Sequence, residues 1–165
     1  MIETNRCRLF KLQDSDYDEL KKLYTNHQVR KYLGGATDDE ILLRNKFEEI
    51  LGNSSNTYVN YWVIRLIANN EFMGLVTLDN YHDGKNIEVS YQFLPEWWGS
   101  GYATEVLKTI IDYSFKELGL LRLVAETQTA NISSCRLLER VGMILESNLY
   151  RFNAKQSLYS IERKI

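Results

Sequence analysis

Residues 88–118, EVSYQFLPEWWGSGYATEVLKTIIDYSFKEL, decide the fold of this chain. From residue 87 to residue 93, apolar and polar side chains alternate with a period of two, which is typical of a strand with one apolar and one polar face. Leu94 and Pro95 follow, and Pro95 is the only proline in the chain. Because proline has no N–H to give to a strand ladder, we expect the strand to end here and to part from a neighbour.

Two glycines, Gly99 and Gly101, come next and open a helix. From Ala103 to Leu118 apolar residues recur at helical spacing, and Gly119 stands where a C-terminal cap is expected. The first turn of a helix carries free backbone N–H groups and the positive end of the helix dipole, and glycine lets a ligand approach the backbone closely. The turn is therefore either a phosphate cradle or a glycine turn required for steric reasons alone.

Three other motifs are excluded at this turn. Tyr102 and Ala103 stand where a Walker A loop needs a lysine and a serine or threonine, so nucleotide hydrolysis is not expected. Thr104 occupies the place of the third glycine in the dinucleotide-binding fingerprint. Trp98 lies two residues before Ser100 where a nucleophile elbow needs glycine.

The length and composition limit the classes of protein to which this chain can belong. A chain of 165 residues can form one domain with its own core but not two of ordinary size, so we expect residues 1–165 to be a single domain. The net charge of −2 gives no footprint for nucleic acid, and the apolar runs are too short for a membrane span. No signal peptide precedes the first strand, and two cysteines with two histidines show no metal-ligand spacing, so we expect a cytoplasmic protein without a metal site.

The whole chain is predicted to run in the order β, α, α, β, β, β, α, β, α, β, β. Strands are expected at residues 6–12, 61–67, 72–78, 87–93, 121–127, 143–152 and 158–163. Helices are expected at residues 17–24, from a capping box of Thr37 and Glu40 to Gly52, at 103–118, and at 132–141. Residues 27–37 are predicted to be a connection, and polar residues 53–56 to close the helical part. This order indicates an α+β fold, a mixed and mostly antiparallel sheet of about seven strands with helices on both faces.

Two motifs at a fixed separation resemble one known family. PEWWGSGYATEVL at residues 95–107, followed by TANISSCRLLERVGM at residues 129–143, is similar to the GNAT superfamily of N-acetyltransferases. Within it the chain resembles the ribosomal-protein N-terminal (RimJ- and RimL-like) and spermidine-type branch. The resemblance extends from RCRL at residues 6–9 to the last strands. It implies the GNAT fold, acetyl-CoA as cofactor and direct transfer of the acetyl group to an amine, and the family leads us to expect a homodimer.

The resemblance also implies where the cofactor binds. Backbone N–H groups of the glycine turn would hold the pyrophosphate of acetyl-CoA, at Trp98, Gly99, Ser100, Gly101, Tyr102 and Ala103. The preceding strand would splay, with Pro95 as the cause, so that the pantetheine arm pairs with the backbone of Phe93 and Leu94. An N–H of this stretch would polarise the thioester carbonyl. Glu96 departs from the family's usual arginine or glutamine, with little loss expected because the contact is largely to backbone.

Three further residues match functional positions of the family. Asn131 matches an asparagine that hydrogen-bonds the cofactor, although an asparagine there is also a helix N-cap worth about 1 kcal/mol without any ligand. Ser134 matches a serine that protonates the departing thiolate, and Leu138 stands where other branches have a tyrosine for this role. Glu88 matches a glutamate of the central strand, so it is either the general base, through a raised pKa, or a structural glutamate.

The strength of the base that the reaction needs depends on the pKa of the acceptor amine. An α-amine with a pKa of about 7.8 is about 15% neutral at pH 7 and a lysine of about 10.4 only about 0.04%, a difference on the order of 3.5 kcal/mol. A weak base therefore favours a protein N-terminal amine. A polyamine or another small-molecule amine stays open as the acceptor, and a non-catalytic acyl-CoA-binding sensor stays open as the other class of function.

Overall fold

A single sheet of eight strands forms the centre of the computed structural model, which describes residues 1–53 and 57–164. The strands are β1 (Ile2–Glu3), β2 (Cys7–Lys11), β3 (Asn60–Leu66), β4 (Phe72–Asn80), β5 (Ile87–Phe93), β6 (Arg122–Gln128), β7 (Ile144–Arg151) and β8 (Ala154–Glu162). They lie in the order β1-β2-β3-β4-β5-β6-β8-β7. The β5–β6 pair is parallel and the other neighbours are antiparallel.

Helices cover both faces of this sheet. They are α1 (Tyr17–Tyr24), α2 (His27–Arg30), α3 (Glu40–Gly52), α4 (Tyr102–Lys116) and α5 (Ile132–Arg140). One buried cluster joins the sheet to α4 and α5 through residues such as Ile110 and Leu138, and a second joins it to α1 and α3 through Leu23 and Phe47. The predicted α+β architecture with helices on both faces is confirmed. None of the helices within the described ranges is long and apolar enough to cross a membrane.

Some local predictions were wrong. The eight strands agree with the expected number of about seven, but strand β1, in which Ile2 and Glu3 pair with Leu9 and Arg8 at the sheet edge, was not predicted. The predicted connection at residues 27–37 contains α2, whose Asn26 side chain caps two backbone N–H groups. Asp39, not Thr37, caps α3, with its carboxylate accepting from the Leu42 N–H at 3.1 Å. Of the polar segment at residues 53–56, residues 54–56 lie outside the described ranges.

The parting of β5 from β6 was expected, but its predicted cause was wrong. The two strands are paired only at Glu88 and Val124, and they separate from there onward. Pro95 lies seven positions further along, in a short 3-10 turn at Pro95–Trp97. Its missing N–H therefore cannot be what separates the strands. From this point β6 keeps its ladder only with β8, on its other side.

Candidate active site

The gap between β5 and β6 begins at a side-chain to backbone hydrogen bond. The Thr129 N–H donates to the Lys155 carbonyl of β8, and because N–H groups alternate along a strand, that of Glu126 faces β5. A continuing parallel ladder would give this N–H to a backbone carbonyl of β5. Instead the Glu88 carboxylate accepts it at 3.2 Å. Glu88 therefore lies where the ladder stops and the gap opens.

Glu88 has an unusual electrostatic environment for a carboxylate. Burial raises its pKa to about 7, the neighbouring carboxylates of Glu126 and Asp79 raise it as well, and the Glu126 N–H and Arg151 act in the opposite direction. Asp79 is the residue directly opposite Glu88 on β4. A carboxyl group with a pKa near neutrality can exchange a proton with an amine at physiological pH.

Glu126 is a second acid at this site that sequence reasoning missed. Its side chain is only 6% exposed, and its carboxylate accepts from the Tyr81 hydroxyl at 2.6 Å and from Arg151 at 3.3 Å. His82 Nε2 lies 3.4 Å from the same carboxylate. The sequence LVAETQ offers no sign of this role, since it depends on the β4–β5 turn and the end of β7 meeting over β6. Glu126 is matched by Arg151, whereas Glu88 has no cation within ion-pair distance among the described residues.

On the other face of β5, Tyr91 and Ser134 form a hydroxyl pair. The Tyr91 Oη and Ser134 Oγ atoms are 2.5 Å apart, and Ser134 is 8% exposed. Burial raises the pKa of Tyr91 to about 12, so this phenol keeps its proton at neutral pH. The sequence reveals Tyr91 only as an apolar-face residue of β5, and the approach of α5 gives it a polar partner.

The amide of Asn131 performs the capping role. Its Oδ1 accepts from the Ser134 N–H at 3.3 Å and so closes the first turn of α5. This bond holds the backbone of Ser134 in place below β5. The amide nitrogen of Asn131 is then the part of the side chain that a cofactor could use.

The glycine turn has the geometry of an anion cradle. Gly99 and Gly101 have φ angles of 81° and 82°, which L side chains rarely adopt. Gly101 is the N-cap residue of α4, and no side chain caps this helix. The first amides of a 15-residue helix are therefore available to a ligand, with the helix dipole favouring negative charge. This arrangement fits the pyrophosphate of coenzyme A.

A nearby ion pair keeps the cradle from being acidic. Glu105 lies in the first turn of α4 and would oppose a phosphate, but it accepts from Arg6 Nε at 2.8 Å and from the Arg6 backbone N–H at 2.7 Å. Burial would raise the pKa of Glu105, and the bonds from Arg6 and Thr4 outweigh it, so the pKa lies below its usual value. The Arg6 guanidinium also lies 4.0 Å from the centre of the Tyr102 ring.

The end of β5 offers backbone groups to the gap. The Leu94 N–H donates to the Met73 carbonyl at 2.9 Å, so it faces β4. By alternation the Phe93 N–H faces the gap, which leaves it rather than Leu94 as the candidate donor to a thioester carbonyl. The Phe93 carbonyl accepts from the Trp98 indole at 2.8 Å. Trp98 thus ties the end of the strand to the glycine turn.

A groove of about 490 Å³ leads to Glu88 from the α2–α3 face of the sheet. Its walls come from the loop at residues 31–37, from α3, and from the turn between β7 and β8. Glu88, Ser90 and Glu126 line it from the sheet, and Arg30 and Lys46 from the helices. The groove reaches Glu88 from one face while the Tyr91–Ser134 pair lies on the other, and the gap between β5 and β6 connects the two.

An uncapped helix N-terminus beside a parted strand, with an acid and a hydroxyl pair across the gap, defines a class of enzyme that transfers acyl groups from a coenzyme A thioester. The family model of the acetyltransferase (GNAT) domain matches residues 6–144. The chain therefore belongs to the GNAT acetyltransferase family. It is an N-acetyltransferase, and acetyl-CoA is the acetyl donor of that family.

Individual relatives agree with this assignment. The chain is 27% identical over 159 residues to the uncharacterized N-acetyltransferase YoaA of Bacillus subtilis, covering 92% of this chain and 87% of YoaA. A GNAT-family acetyltransferase structure from Bacillus anthracis superposes with a TM-score of 0.83 at 25% identity, covering 98% of this chain and 97% of that one.

The fold is also shared with an enzyme of known acceptor. A spermidine N-acetyltransferase from Vibrio cholerae, in complex with CoA and spermine, superposes with a TM-score of 0.81 at 20% identity, covering 94% of this chain and 95% of that one. At this identity the likeness concerns the fold.

Proposed function

We propose that this enzyme acetylates an amine of low pKa, most readily the α-amine of a protein N-terminus, as in the RimJ- and RimL-like branch. The observation that carries the proposal is the position of Glu88, which lies at the opening of the gap with a pKa of about 7. An α-amine has a pKa of about 7.7–8.0, so a proton passes between the two groups at little cost in free energy. A lysine at about 10.4 would have to give up its proton at a far larger cost.

The proposed catalytic residues lie on opposite faces of the sheet and have different roles. Glu88 accepts the proton of the amine that enters through the groove, directly or through a water molecule. Ser134, supported by the Tyr91 hydroxyl at 2.5 Å, donates the proton that the departing thiolate takes up. When bound, acetyl-CoA supplies the thioester whose carbonyl carbon the amine attacks. The Phe93 N–H, which faces the gap, would stabilise the negative charge that develops on the carbonyl oxygen.

Most of the residues that we propose to bind the cofactor lie in the glycine turn. The backbone from Trp98 to Ala103 and the first turn of α4 would hold the pyrophosphate, Phe93 and Leu94 would flank the pantetheine arm, and Asn131 would contribute its amide nitrogen. The uncapped start of α4 and the positive φ angles of Gly99 and Gly101 support this assignment. We place the whole chain in one catalytic domain that acts in the cytoplasm, and the assembly of two copies is a further expectation.

The experiment measures thiol release from acetyl-CoA with three acceptors: a peptide with a free N-terminus, an N-terminally blocked lysine peptide, and spermidine. The peptide with a free N-terminus should give the highest kcat/KM at pH 7. A preference for spermidine would replace the N-terminal acceptor by the polyamine alternative. If the protein binds CoA but releases thiol with no amine of a broad panel, the sensor alternative is correct.

A further inference from the structure

Six arginines in the described residues are half-buried, and five of them face a carboxylate. The five pairs are Arg6–Glu105, Arg8–Glu3, Arg65–Glu19, Arg122–Glu146 and Arg151–Glu126. Arg30 is the sixth, and no carboxylate of the described residues lies within ion-pair distance of it. Neutral acceptors compensate such a half-buried cation only in part, and an anionic ligand would supply the missing counter-charge.

Arg30 is nevertheless held in a fixed place. Its Nε donates to the Gly35 carbonyl at 3.3 Å and its Nη2 to the Leu33 carbonyl at 2.5 Å. The guanidinium carbon lies 5.1 Å from the centre of the Tyr24 ring. These contacts leave Nη1 without a hydrogen bond to any described residue. Burial lowers the pKa of Arg30, in keeping with a charge that lacks its partner.

The two ends of the groove therefore differ in charge. At the sheet end, Glu126 is matched by Arg151, and Glu88 is only about half ionised near pH 7. At the helix end, Arg30 and the exposed Lys46 line the groove, and Lys46 too has no carboxylate within ion-pair distance in the described ranges. A neighbouring hollow of about 320 Å³ shares both cations and contains Glu49 and Asp79, the latter bound to the Tyr61 hydroxyl. An extended polyamine would place a positive charge against the cationic end.

We infer that the acceptor carries an anionic group, a carboxylate or a phosphate, which Arg30 and Lys46 bind while its amine lies at Glu88. This inference rests on the proposed acetyl transfer, because it concerns the acceptor of that reaction. The guanidinium presents a planar donor edge and the ammonium a second charge, a combination that suits both anions. The anion belongs either to a free amino acid or similar small molecule, or to an acidic side chain beside a peptide N-terminus.

The test compares acceptors with and without the anion, and each KM is expressed as the concentration of neutral amine, because removal of the anion also changes the pKa of the amine. The first set compares a panel of free amino acids with the corresponding C-terminal amides, and the second compares O-phosphoethanolamine with ethanolamine. The third compares peptides that carry Asp at the second position with peptides that carry Asn there. The acidic member of at least one pair should have a KM at least tenfold lower, since a charge-assisted pair is worth about that factor in binding. The first two sets identify a small-molecule source, and the last a peptide source.

Three variants test whether Arg30 and Lys46 cause the preference for acidic acceptors. Arg30→Gln and Lys46→Gln should each raise the KM of the acidic acceptor about tenfold and leave that of its amide partner unchanged, and Arg30→Lys should keep part of the preference. Arg44→Gln removes a charge from the same helix as Lys46 outside the groove, where Arg44 lies over the Tyr17 ring, and it should change neither KM. Because Lys46 is exposed, its variant stays informative if Arg30→Gln loosens the loop that the arginine holds.

The outcomes separate this inference from the proposed function. Equal KM values within every pair, or equal losses for both members in the two charge-removing variants, would overturn the inference while transfer to amines continues. If no amine is acetylated at all, the proposed function fails. Calorimetric titration of the CoA-bound protein with the acidic and amide compounds then decides on the anion site, and equal affinities would overturn it.

Discussion

The Glu88 carboxylate and the backbone N–H of Glu126 are joined by a hydrogen bond of 3.2 Å at the point where the β5–β6 ladder stops. The bond fixes Glu88 at the opening of the gap, while burial keeps its proton affinity high. A parallel ladder that continued would give the Glu126 N–H to a backbone carbonyl of β5, and the Glu88 carboxylate would lose this donor. The interruption therefore leaves the Glu88 carboxylate at the end of the groove, in the position that the proposed base requires.

The first prediction concerns the pH dependence of acetyl transfer. Glu88 accepts a proton only when ionised, so kcat/KM should rise with pH through about 7, in line with its raised pKa. Glu88→Gln keeps an acceptor for the Glu126 N–H but cannot take a proton, and it should lower kcat on the order of 10²-fold. Steady-state rates from pH 5.5 to 9 measure both. Glu71→Gln in the β3–β4 turn is the charge-matched control, and an unchanged profile in Glu88→Gln would refute the base assignment.

The same carboxylate should cost stability. Because its folded-state pKa is raised from 4.5 to about 7, the folded state binds the proton more tightly, and its contribution to stability is lost as pH rises between these values. Glu88→Gln should therefore be more stable than the parent at pH 8, by on the order of 3 kcal/mol at most, and nearly equal at pH 4.5. Urea unfolding at both pH values tests this. A variant that is equally or less stable than the parent at pH 8 would show that Glu88 is not strained by burial.

The third prediction concerns the glycine cradle. Gly101→Ala forces a side chain into a φ of 82°, which should cost about 1–2 kcal/mol of stability and tilt the first amides of α4. We expect the Kd for CoA to rise at least tenfold in calorimetric titrations. Gly84→Ala is the matched control, because Gly84 also has a positive φ, of 71°, with open space around its Cβ position. Equal CoA affinities in the two variants would place the pyrophosphate elsewhere.

The hydroxyl pair gives the fourth prediction. Ser134→Ala should lower kcat on the order of 10²-fold with little change in the KM for acetyl-CoA, because it removes a proton donor and not a binding contact. Tyr91→Phe leaves the Ser134 hydroxyl without its partner and should lower kcat by a smaller factor, about tenfold. In the double variant the effects should not add, since both act on one proton. Fully additive losses would mean that the two residues act separately.

Much of the fold was predictable because the local patterns agree with the tertiary arrangement. Strand β5 and helix α4 show their periods over seven and fifteen residues, and their predicted positions are correct to within one or two residues. Helix α2 was missed because its four residues are too few for a 3.6-residue period to show. At α3 the capping-box pattern of Thr37 and Glu40 predicted the wrong cap, because Asp39 lies immediately before the helix and its side chain caps it.

The sequence by itself determined the order of the longer strands and helices, the glycine turn and the family, since each of these depends on neighbours in the chain, whereas the short elements β1 and α2 were missed. Only the tertiary structure decided which groups face the gap. Glu126 contacts Arg151 and Tyr81, and Tyr91 contacts Ser134, in each case between residues 25 to 45 positions apart in the chain. Arg30 has no carboxylate of the described residues within ion-pair distance. Burial and charge pairing depend on distance in space rather than along the chain, so the pKa of Glu88 and the missing partner of Arg30 could not be predicted from residue order.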